Sequence, residues 1–165
     1  MKSKFHPLIL ILALLCGCVN VRQTEQTEAI PLGMVDRSMF SQPQYSQFKT
    51  AYDTAQVNRT MVEMIRGTRQ DVDWIVFFGT WCEDSRRQVP LFLKIADSAG
   101  IPAKRITLYA LNRSMNGRDG LSRPYGIRAV PTFICRRSGG EIGRITEKPE
   151  ISMEADMLVI LSSTR

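Results

Sequence analysis

Histidine is almost missing from this sequence, and its absence excludes several classes of active site. The only histidine is His6, close to the N-terminus. The rest of the chain therefore holds no Ser-His-Asp triad, no Cys-His dyad, and no zinc or haem bound through histidine. No apolar run reaches the roughly 18 residues that a membrane-spanning helix needs, and we predict neither a cofactor nor a metal site.

What the sequence does contain is typical of one globular domain. Its 165 residues are 44% hydrophobic and 23% charged, which is enough apolar material for a core and too little charge for a disordered chain. Lysine and arginine exceed aspartate and glutamate by a net charge of +6, which is a modest excess.

The N-terminus has the pattern of a bacterial lipoprotein signal. Lys2 and Lys4 precede an apolar run at 8–15, which is too short to cross a membrane and has the length of a signal core. The Leu-Cys-Gly-Cys stretch that follows resembles a lipobox, in which a small residue precedes the cysteine that is acylated. Cys18 fits this role because Gly17 precedes it. Ordinary secretion without a lipid is the alternative.

We therefore expect three regions along the chain. Residues 1–17 are predicted to be a lipoprotein signal peptide, 18–40 a tether and N-terminal extension, and 41–165 the folded domain. No aspartate follows Cys18, and an aspartate there is a usual signal for retention in the inner membrane. We expect a cell-envelope protein anchored in the membrane by lipid on Cys18 and facing the periplasm, with the outer membrane favoured over the inner.

Apolar periodicity predicts alternating strands and helices in the folded domain. Continuous apolar, β-favouring residues at 74–78 are typical of a strand that is buried on both faces. Further strands are predicted at 105–111, 132–136 and 141–146, and helices at 44–52, 55–67, 83–99 and 152–161. Residues 112–123 are predicted to be a polar loop with room for one short helix, and 30–40 have no assignment. This order predicts an α/β fold with a central mixed β-sheet flanked by helices on both faces.

Cys82 lies between the strand at 74–78 and the start of the next helix. A helix N-terminus presents unpaired N–H groups and a partial positive charge, and both stabilise a thiolate. The first turn also carries two arginines, which act in the same direction, and two acids, which oppose it. Ser85 is placed to reach back toward the sulfur as a helix cap. A buried structural cysteine is the alternative interpretation.

The surroundings of Cys82 resemble the active site of the thioredoxin superfamily. Residues 77–82, Phe-Phe-Gly-Thr-Trp-Cys, are similar to the thioredoxin active-site entry, and Pro90 lies where thioredoxins carry a proline in the next helix. The segment at 125–132 is similar to the one that holds the thioredoxin cis-proline. A closer resemblance is to bacterial thioredoxin-like proteins with Gly-Thr-Trp-Cys-x-Asp-Ser, here at 79–85. Their motifs Val-Pro-x-Phe, Val-Pro-Thr-Phe-Ile and Glu-Ile-Gly-Arg-Ile stand at 89–92, 130–134 and 141–145.

The resemblance implies a thioredoxin-like fold and a site of five residues. It implies that Cys82 is the nucleophile, that Ser85 and the helix start stabilise its thiolate, and that Val130-Pro131 is cis and packs beside it. The Val130 backbone would then pair with an extended substrate strand, and Trp81 would form an apolar wall. Protein or low-molecular-weight thiols and disulfides are the partners that this site implies.

The chain departs from dithiol thioredoxins at two positions. The second cysteine, which releases the substrate, is replaced by Ser85, and serine forms no disulfide. The buried acid that serves this second step is replaced by Val76. Cys135 is predicted to be a core residue, because four residues of strand place it about 13 Å beyond Pro131 and a disulfide needs Cα atoms within roughly 7 Å. The pattern favours monothiol exchange with an external thiol, or isomerisation.

Three functions are weighed against each other. The first is a membrane-tethered monothiol oxidoreductase or isomerase that acts through Cys82. The second is a binding module with a thioredoxin fold that holds envelope proteins without turnover, which the replacement of the second cysteine by Ser85 favours. A peroxidase is disfavoured, because Gly79 stands where peroxiredoxins carry a threonine.

Positive charge accumulates between the second and third strands that the sequence predicts. Four arginines stand there: Arg113, Arg118, Arg123 and Arg128. Only one aromatic residue, Tyr125, lies among them, so we expect a solvated face and no nucleic-acid partner. Arg113 and Arg128 are nevertheless placed to steer an acidic substrate toward Cys82. We expect a monomer.

Overall fold

The computed structural model describes residues 31–68 and 71–163, and within these ranges a five-stranded sheet packs with four α-helices. The strands are β1 (Gly33–Val35), β2 (Val72–Phe78), β3 (Ile106–Ala110), β4 (Thr132–Arg137) and β5 (Gly140–Thr146). The helices are α1 (Ser46–Thr54), α2 (Arg59–Arg66), α3 (Glu83–Ala99) and α4 (Met153–Leu161). Every strand and helix that the sequence predicts is present, with small shifts at the ends.

The sheet is mixed, as the sequence predicts, and its order is β1-β3-β2-β4-β5. β2 runs parallel to β3 and antiparallel to β4, whereas β1 and β5 run antiparallel to their single neighbours. Phe77, near the end of β2, lies opposite Thr132, the first residue of β4. This register brings the segment that leaves β2 next to the segment that enters β4.

β2 is buried on both faces because its side chains alternate between two cores. Trp74, Val76 and Phe78 belong to the main core, and Ile75 and Phe77 to a second core on the opposite face. All five side chains are buried. The continuous apolar run that the sequence shows at this strand therefore reflects two packed faces.

The sequence predicts helices on both faces of the sheet, but in the structure turns cover one of the faces. The main core receives buried side chains from α1, α2, α3 and α4. The second core is covered by residues 111–131, which form turns and no helix. Gly117, Gly120 and Pro124 disfavour a helix there. A Cβ at Gly117 would come within 2.3 Å of the buried ring of Tyr109, so the covering segment approaches the sheet closely.

The folded domain begins before residue 41, where the sequence prediction places its start. β1 pairs with the edge of β3, and Met39 and Phe40 are buried in the main core. The Arg37 guanidinium forms a salt bridge with Asp97 of α3. Tyr52 of α1 donates a hydrogen bond of 2.6 Å to the same carboxylate. Residues 33–40 are therefore part of the domain and not of a free tether.

We expect Asp97→Asn to lower the free energy of unfolding by about 1 kcal/mol at neutral pH. Burial raises the pKa of Asp97, but hydrogen bonds from Arg37 and Tyr52 outweigh burial and lower the pKa below its usual value. A depressed carboxyl pKa contributes stability above the unfolded value of about 4, and this contribution is lost as the pH falls. Urea unfolding of both proteins across this pH range measures the difference.

The matched control is Asp53→Asn, which removes an exposed salt bridge with Lys49 within one helix. Such pairs contribute roughly 0.3–0.5 kcal/mol. An Asp97→Asn effect no larger than this, or one that persists undiminished in acid, contradicts the anchoring role of Asp97.

Several predicted features of the N-terminus lie outside the described residues. They are the signal peptide at 1–17, the lipidated Cys18 and the first part of the tether, up to residue 30. Within the described ranges, every helix is too short or too polar to span a bilayer.

Candidate active site

Cys82 lies in the turn that connects β2 to α3, at the N-cap position of α3. Its N–H donates to the Gly79 carbonyl at 3.0 Å, and its carbonyl accepts the first helical hydrogen bond, from the Arg86 N–H. The side chain is half-buried. The sulfur therefore stands at the positive end of the helix dipole, where the free N–H groups of the first turn stabilise negative charge.

The structure brings Val130 and Pro131 directly beside this sulfur. The Cys82 thiol donates a hydrogen bond to the Val130 carbonyl, with Sγ and O 3.2 Å apart. The Val130-Pro131 peptide bond is cis, as the resemblance implies. Both residues are buried, and both stand at the entrance to β4, next to the end of β2. The sheet register thus explains how residues far apart in sequence come together.

Trp81 forms one wall of the site and is held from three sides. Its indole N–H donates to the Leu111 carbonyl at 2.9 Å. The guanidinium of Arg113 lies over the ring, 4.8 Å from its centre. Gly79 lies against the part of the indole that includes its nitrogen, since a Cβ there would stand 2.6 Å from Cε2 and 2.7 Å from Nε1. Sequence reasoning missed the parts played by Leu111 and Gly79, because neither carries a side chain that suggests chemistry.

Ser85 has a different role from the one that the sequence predicts. Its side chain is fully buried, and its Oγ accepts a hydrogen bond of 3.2 Å from the Gly79 N–H. No hydrogen bond joins it to the Cys82 sulfur in the described part of the chain, and α3 has no side-chain cap at its N-terminus. Ser85 therefore fixes the turn in which Cys82 lies and does not contact the sulfur through a hydrogen bond.

Most charged residues of the first turn of α3 form contacts with groups other than the Cys82 sulfur. Arg86 Nε donates to the Thr80 carbonyl at 2.9 Å, which further fixes the turn before Cys82. Asp84 pairs with Arg87, and Lys148 lies 3.9 Å from the same carboxylate. Of the two acids and two arginines in this turn, Asp84 and Arg87 thus neutralise each other.

Cys135 lies on the other side of the sheet from Cys82. Both thiols are free, and Cys135 is fully buried in the main core, whereas Cys82 packs against the second core. Burial raises the pKa of Cys135 to about 12, so its thiol stays protonated at neutral pH. The prediction that Cys135 is a core residue is confirmed. Its position excludes it as a partner for Cys82, because the sheet separates the two side chains.

We expect Gly79→Ala to displace the Trp81 indole and to slow the reaction of Cys82 with disulfides by about tenfold. The added methyl group overlaps the ring, and overpacking of this kind costs roughly 1–3 kcal/mol. The ring is half-buried and has room to move, so it loses its bond to Leu111 before the fold is lost. Tryptophan fluorescence and the rate of disulfide reaction measure the two effects.

Gly140→Ala is the matched control, because a Cβ there meets only the Arg137 carbonyl, at an ordinary 3.7 Å. It is expected to leave fluorescence and rate unchanged. A Gly79→Ala protein with unaltered Trp81 fluorescence argues against the close packing between Gly79 and the indole.

Metal ligands are not grouped in the part of the protein that the structure describes. No set of three or more His, Cys, Asp or Glu side chains is arranged there to hold a metal ion. The chemistry available at the site is that of one half-buried sulfur beside an apolar wall and the backbone of Val130.

Solved structures with the same fold are distant in sequence. A protein of unknown function from Pseudomonas aeruginosa is 13% identical, with a TM-score of 0.54, over 71% of this chain and 82% of its own. An HIV epitope scaffold is 14% identical, with a TM-score of 0.55, over 74% of this chain and 86% of its own. A comparison with curated proteins finds no match. Residues 38–158 match the thioredoxin family; because this match covers well over half of the chain, the protein belongs to the thioredoxin family.

Proposed function

We propose that the protein performs thiol–disulfide exchange with a single cysteine, as a monothiol oxidoreductase or isomerase. Thioredoxin-like domains are generally associated with thiol–disulfide redox chemistry. The observation that carries the finer proposal is the position of the Cys82 sulfur, half-exposed at the start of α3 and 3.2 Å from the Val130 carbonyl. Protein or low-molecular-weight disulfides are the substrates.

The reaction has two steps, and each exchanges one sulfur–sulfur bond for another. The Cys82 thiolate attacks one sulfur of the substrate disulfide, the substrate bond breaks, and one substrate thiolate leaves with the bonding electrons. A mixed disulfide between Cys82 and the other half remains. An external thiolate, or a second thiol of the same substrate, then attacks the mixed disulfide and returns Cys82 as a thiolate. The first route passes the substrate half to the external thiol as a mixed disulfide, which a second equivalent of that thiol reduces, and the second route is an isomerisation.

The segment before Pro131 is suited to hold an extended substrate during the first step. The Val130 N–H donates to no group in the described part of the protein, although its carbonyl accepts from the thiol. A substrate strand that pairs with this backbone places its own sulfur beside Cys82. The Trp81 indole provides an apolar surface for the side chain next to the substrate cysteine.

Three features support an exchange reaction that uses one cysteine of the domain instead of two. Ser85 occupies the place of a second thiol and is committed to the Gly79 amide. Val76, at the place of the buried acid, is fully buried in the main core. Cys135 lies behind the sheet and stays protonated. Release of the substrate therefore depends on a thiol from outside the domain.

A second candidate is a binding module that holds thiol proteins without turnover. The thiol proton of Cys82 is engaged with the Val130 carbonyl, and a thiol that stays in this bond is not a nucleophile. The two candidates differ in whether a covalent bond forms at Cys82.

The experiment that tests the function counts the thiols released from a small disulfide. Reduced protein mixed with excess neutral disulfide is expected to release one thiol per protein and to stop as a mixed disulfide on Cys82, which mass spectrometry locates. Addition of an external thiol is expected to start continuous turnover. A protein that binds thiol proteins but forms no adduct is the binding module instead.

We also propose that the domain is held in the cell envelope by lipid on Cys18, facing the periplasm, with the outer membrane favoured. The support is the signal pattern in the sequence at 1–18. Cys18→Ala is expected to shift most of the full-length protein from sedimented membranes to the supernatant, because an acyl chain contributes about 0.8 kcal/mol per buried methylene. Cys16→Ala is the control and is expected to stay with the membranes; release by both variants or by neither contradicts the anchor at Cys18.

A further inference from the structure

The segment that covers the second core carries unpaired positive charge. Its four arginines, Arg113, Arg118, Arg123 and Arg128, have no carboxylate partner in the described part of the chain. Six arginines elsewhere in the described ranges each form a salt bridge with an acid, namely Arg37, Arg66, Arg87, Arg105, Arg137 and Arg144. Asp119 is the only acid among residues 111–131, so this segment keeps an excess of positive charge.

Two of these arginines line a cavity. Arg123 and Arg128 are exposed and border a space of about 300 Å³. Ser114 and Asn116 add hydrogen-bonding side chains to its wall. Guanidinium groups with neutral donors between them are the arrangement that binds carboxylates, since arginine presents its N–H groups in a planar fork that matches two oxygens.

The cavity borders the same core as Cys82. Met115 and Ile127 line it and also pack against the second core, the same core that Trp81 and Cys82 contact. Arg128 is two residues before Val130, so their Cα atoms are at most about 7.6 Å apart, and the Val130 carbonyl touches the sulfur. A group attached a few bonds from a substrate sulfur is therefore within reach of the arginines.

We propose that this cavity binds a carboxylate of the substrate, so that the site prefers anionic disulfides. This inference rests on the proposed exchange at Cys82 and names its substrate class. The carboxylate binds between Arg123 and Arg128 while the Cys82 thiolate attacks the nearer sulfur and the farther sulfur leaves as a thiolate. No oxidant or reductant is needed for this step, because one disulfide replaces another.

The test compares two coloured reagents that differ in charge. Dithiobis-nitrobenzoate is an anionic disulfide and dithiodipyridine a neutral one, and each releases a coloured thiol when Cys82 attacks it. The ratio of their rate constants is expected to fall about two- to fivefold in Arg123→Gln and in Arg128→Gln, and about tenfold in the double variant. The rate with the neutral reagent stays unchanged, and added salt lowers the ratio in the wild type.

Arg59→Gln is the matched control. Arg59 is exposed at the start of α2, has no recorded partner in the described ranges, and carries the same charge far along the chain from the cavity. An unchanged ratio in the double variant overturns the inference, and so does an equal fall in Arg59→Gln, which would assign the effect to net charge. Loss of reaction with the neutral reagent in the wild type would instead overturn the proposed exchange itself, so the two failures are distinguishable.

Two further substrates test whether the bound carboxylate belongs to a small molecule or to a protein. Oxidised glutathione represents a small free disulfide, and a disulfide-bonded peptide with a glutamate beside its cysteine represents a segment of a protein. Dependence of the rate on Arg123 and Arg128 with either substrate supports the inference and identifies the size of the substrate. Independence with both overturns it.

Discussion

Replacement of Cys82 by serine is expected to reduce the rate of disulfide exchange by at least about a hundredfold, because serine is neither ionised at neutral pH nor able to form a disulfide. The fold should be retained. The half-buried side chain changes by one atom, and a serine hydroxyl still donates to the Val130 carbonyl. We expect the free energy of unfolding to change by no more than about 1 kcal/mol. Stopped-flow measurement with a coloured disulfide and urea unfolding test the two statements.

Cys135→Ala is the control for this experiment. Its thiol is fully buried and its pKa is raised to about 12 by burial, so it contributes nothing to the rate in the folded state. This variant is expected to react like the wild type and to lose some stability through a small cavity. If Cys82→Ser keeps the rate and Cys135→Ala abolishes it, the reactive sulfur is the buried one and the proposed site is wrong.

The parts of the fold that could be predicted are those in which local sequence and tertiary structure agree. The strand at β2 is visible because both of its faces are buried, which leaves no polar alternation along the chain. The helix α3 begins and ends at the residues that the sequence predicts, Glu83 and Ala99. Together these two elements place Cys82 at a helix start, which is the basis of the predicted site.

The parts that could not be predicted depend on contacts between distant residues. β1 has only three residues, Gly33–Val35, and is a strand because β3 offers an open edge. Ser85 has the spacing of a cap toward Cys82, but its hydroxyl turns to the Gly79 amide, which no spacing rule reveals. The cavity beside Arg123 and Arg128 arises only when their segment folds over the second core.

The arrangement of the two thiols explains why one cysteine acts alone. Val130, two residues before β4, lies beside the sulfur, yet Cys135 in β4 points to the main core on the opposite face. Because strand side chains alternate, the neighbouring Ile134 faces the second core, against which Cys82 packs. The sheet therefore separates Cys135 from a mixed disulfide on Cys82, whereas position 85 lies in the same helix start as Cys82 and is occupied by Ser85.

Ser85→Cys is expected to convert the protein from a monothiol to a dithiol reductant. Position 85 is three residues after Cys82 at the start of α3. The rise and radius of a helix place Cα atoms with this spacing about 5 Å apart, within the Cα range of a disulfide. The introduced thiol attacks the mixed disulfide on Cys82, releases the second half of the substrate, and leaves an intramolecular disulfide. The reduced variant should therefore release two thiols per protein from a small disulfide, whereas the wild type should release one.

The rate of the second release distinguishes this outcome from slow attack by an external thiol. An intramolecular thiol acts at an effective concentration on the order of millimolar or more, so release should not depend on added thiol. The variant also loses the hydroxyl that accepts from Gly79, and since sulfur is a weak acceptor we expect a loss of about 1–2 kcal/mol in stability. Ser85→Ala carries the same loss without a thiol and should still release one thiol per protein. If Ser85→Cys is folded and also stops at one, position 85 does not face the mixed disulfide, and the fully buried side chain seen here remains closed to it during exchange.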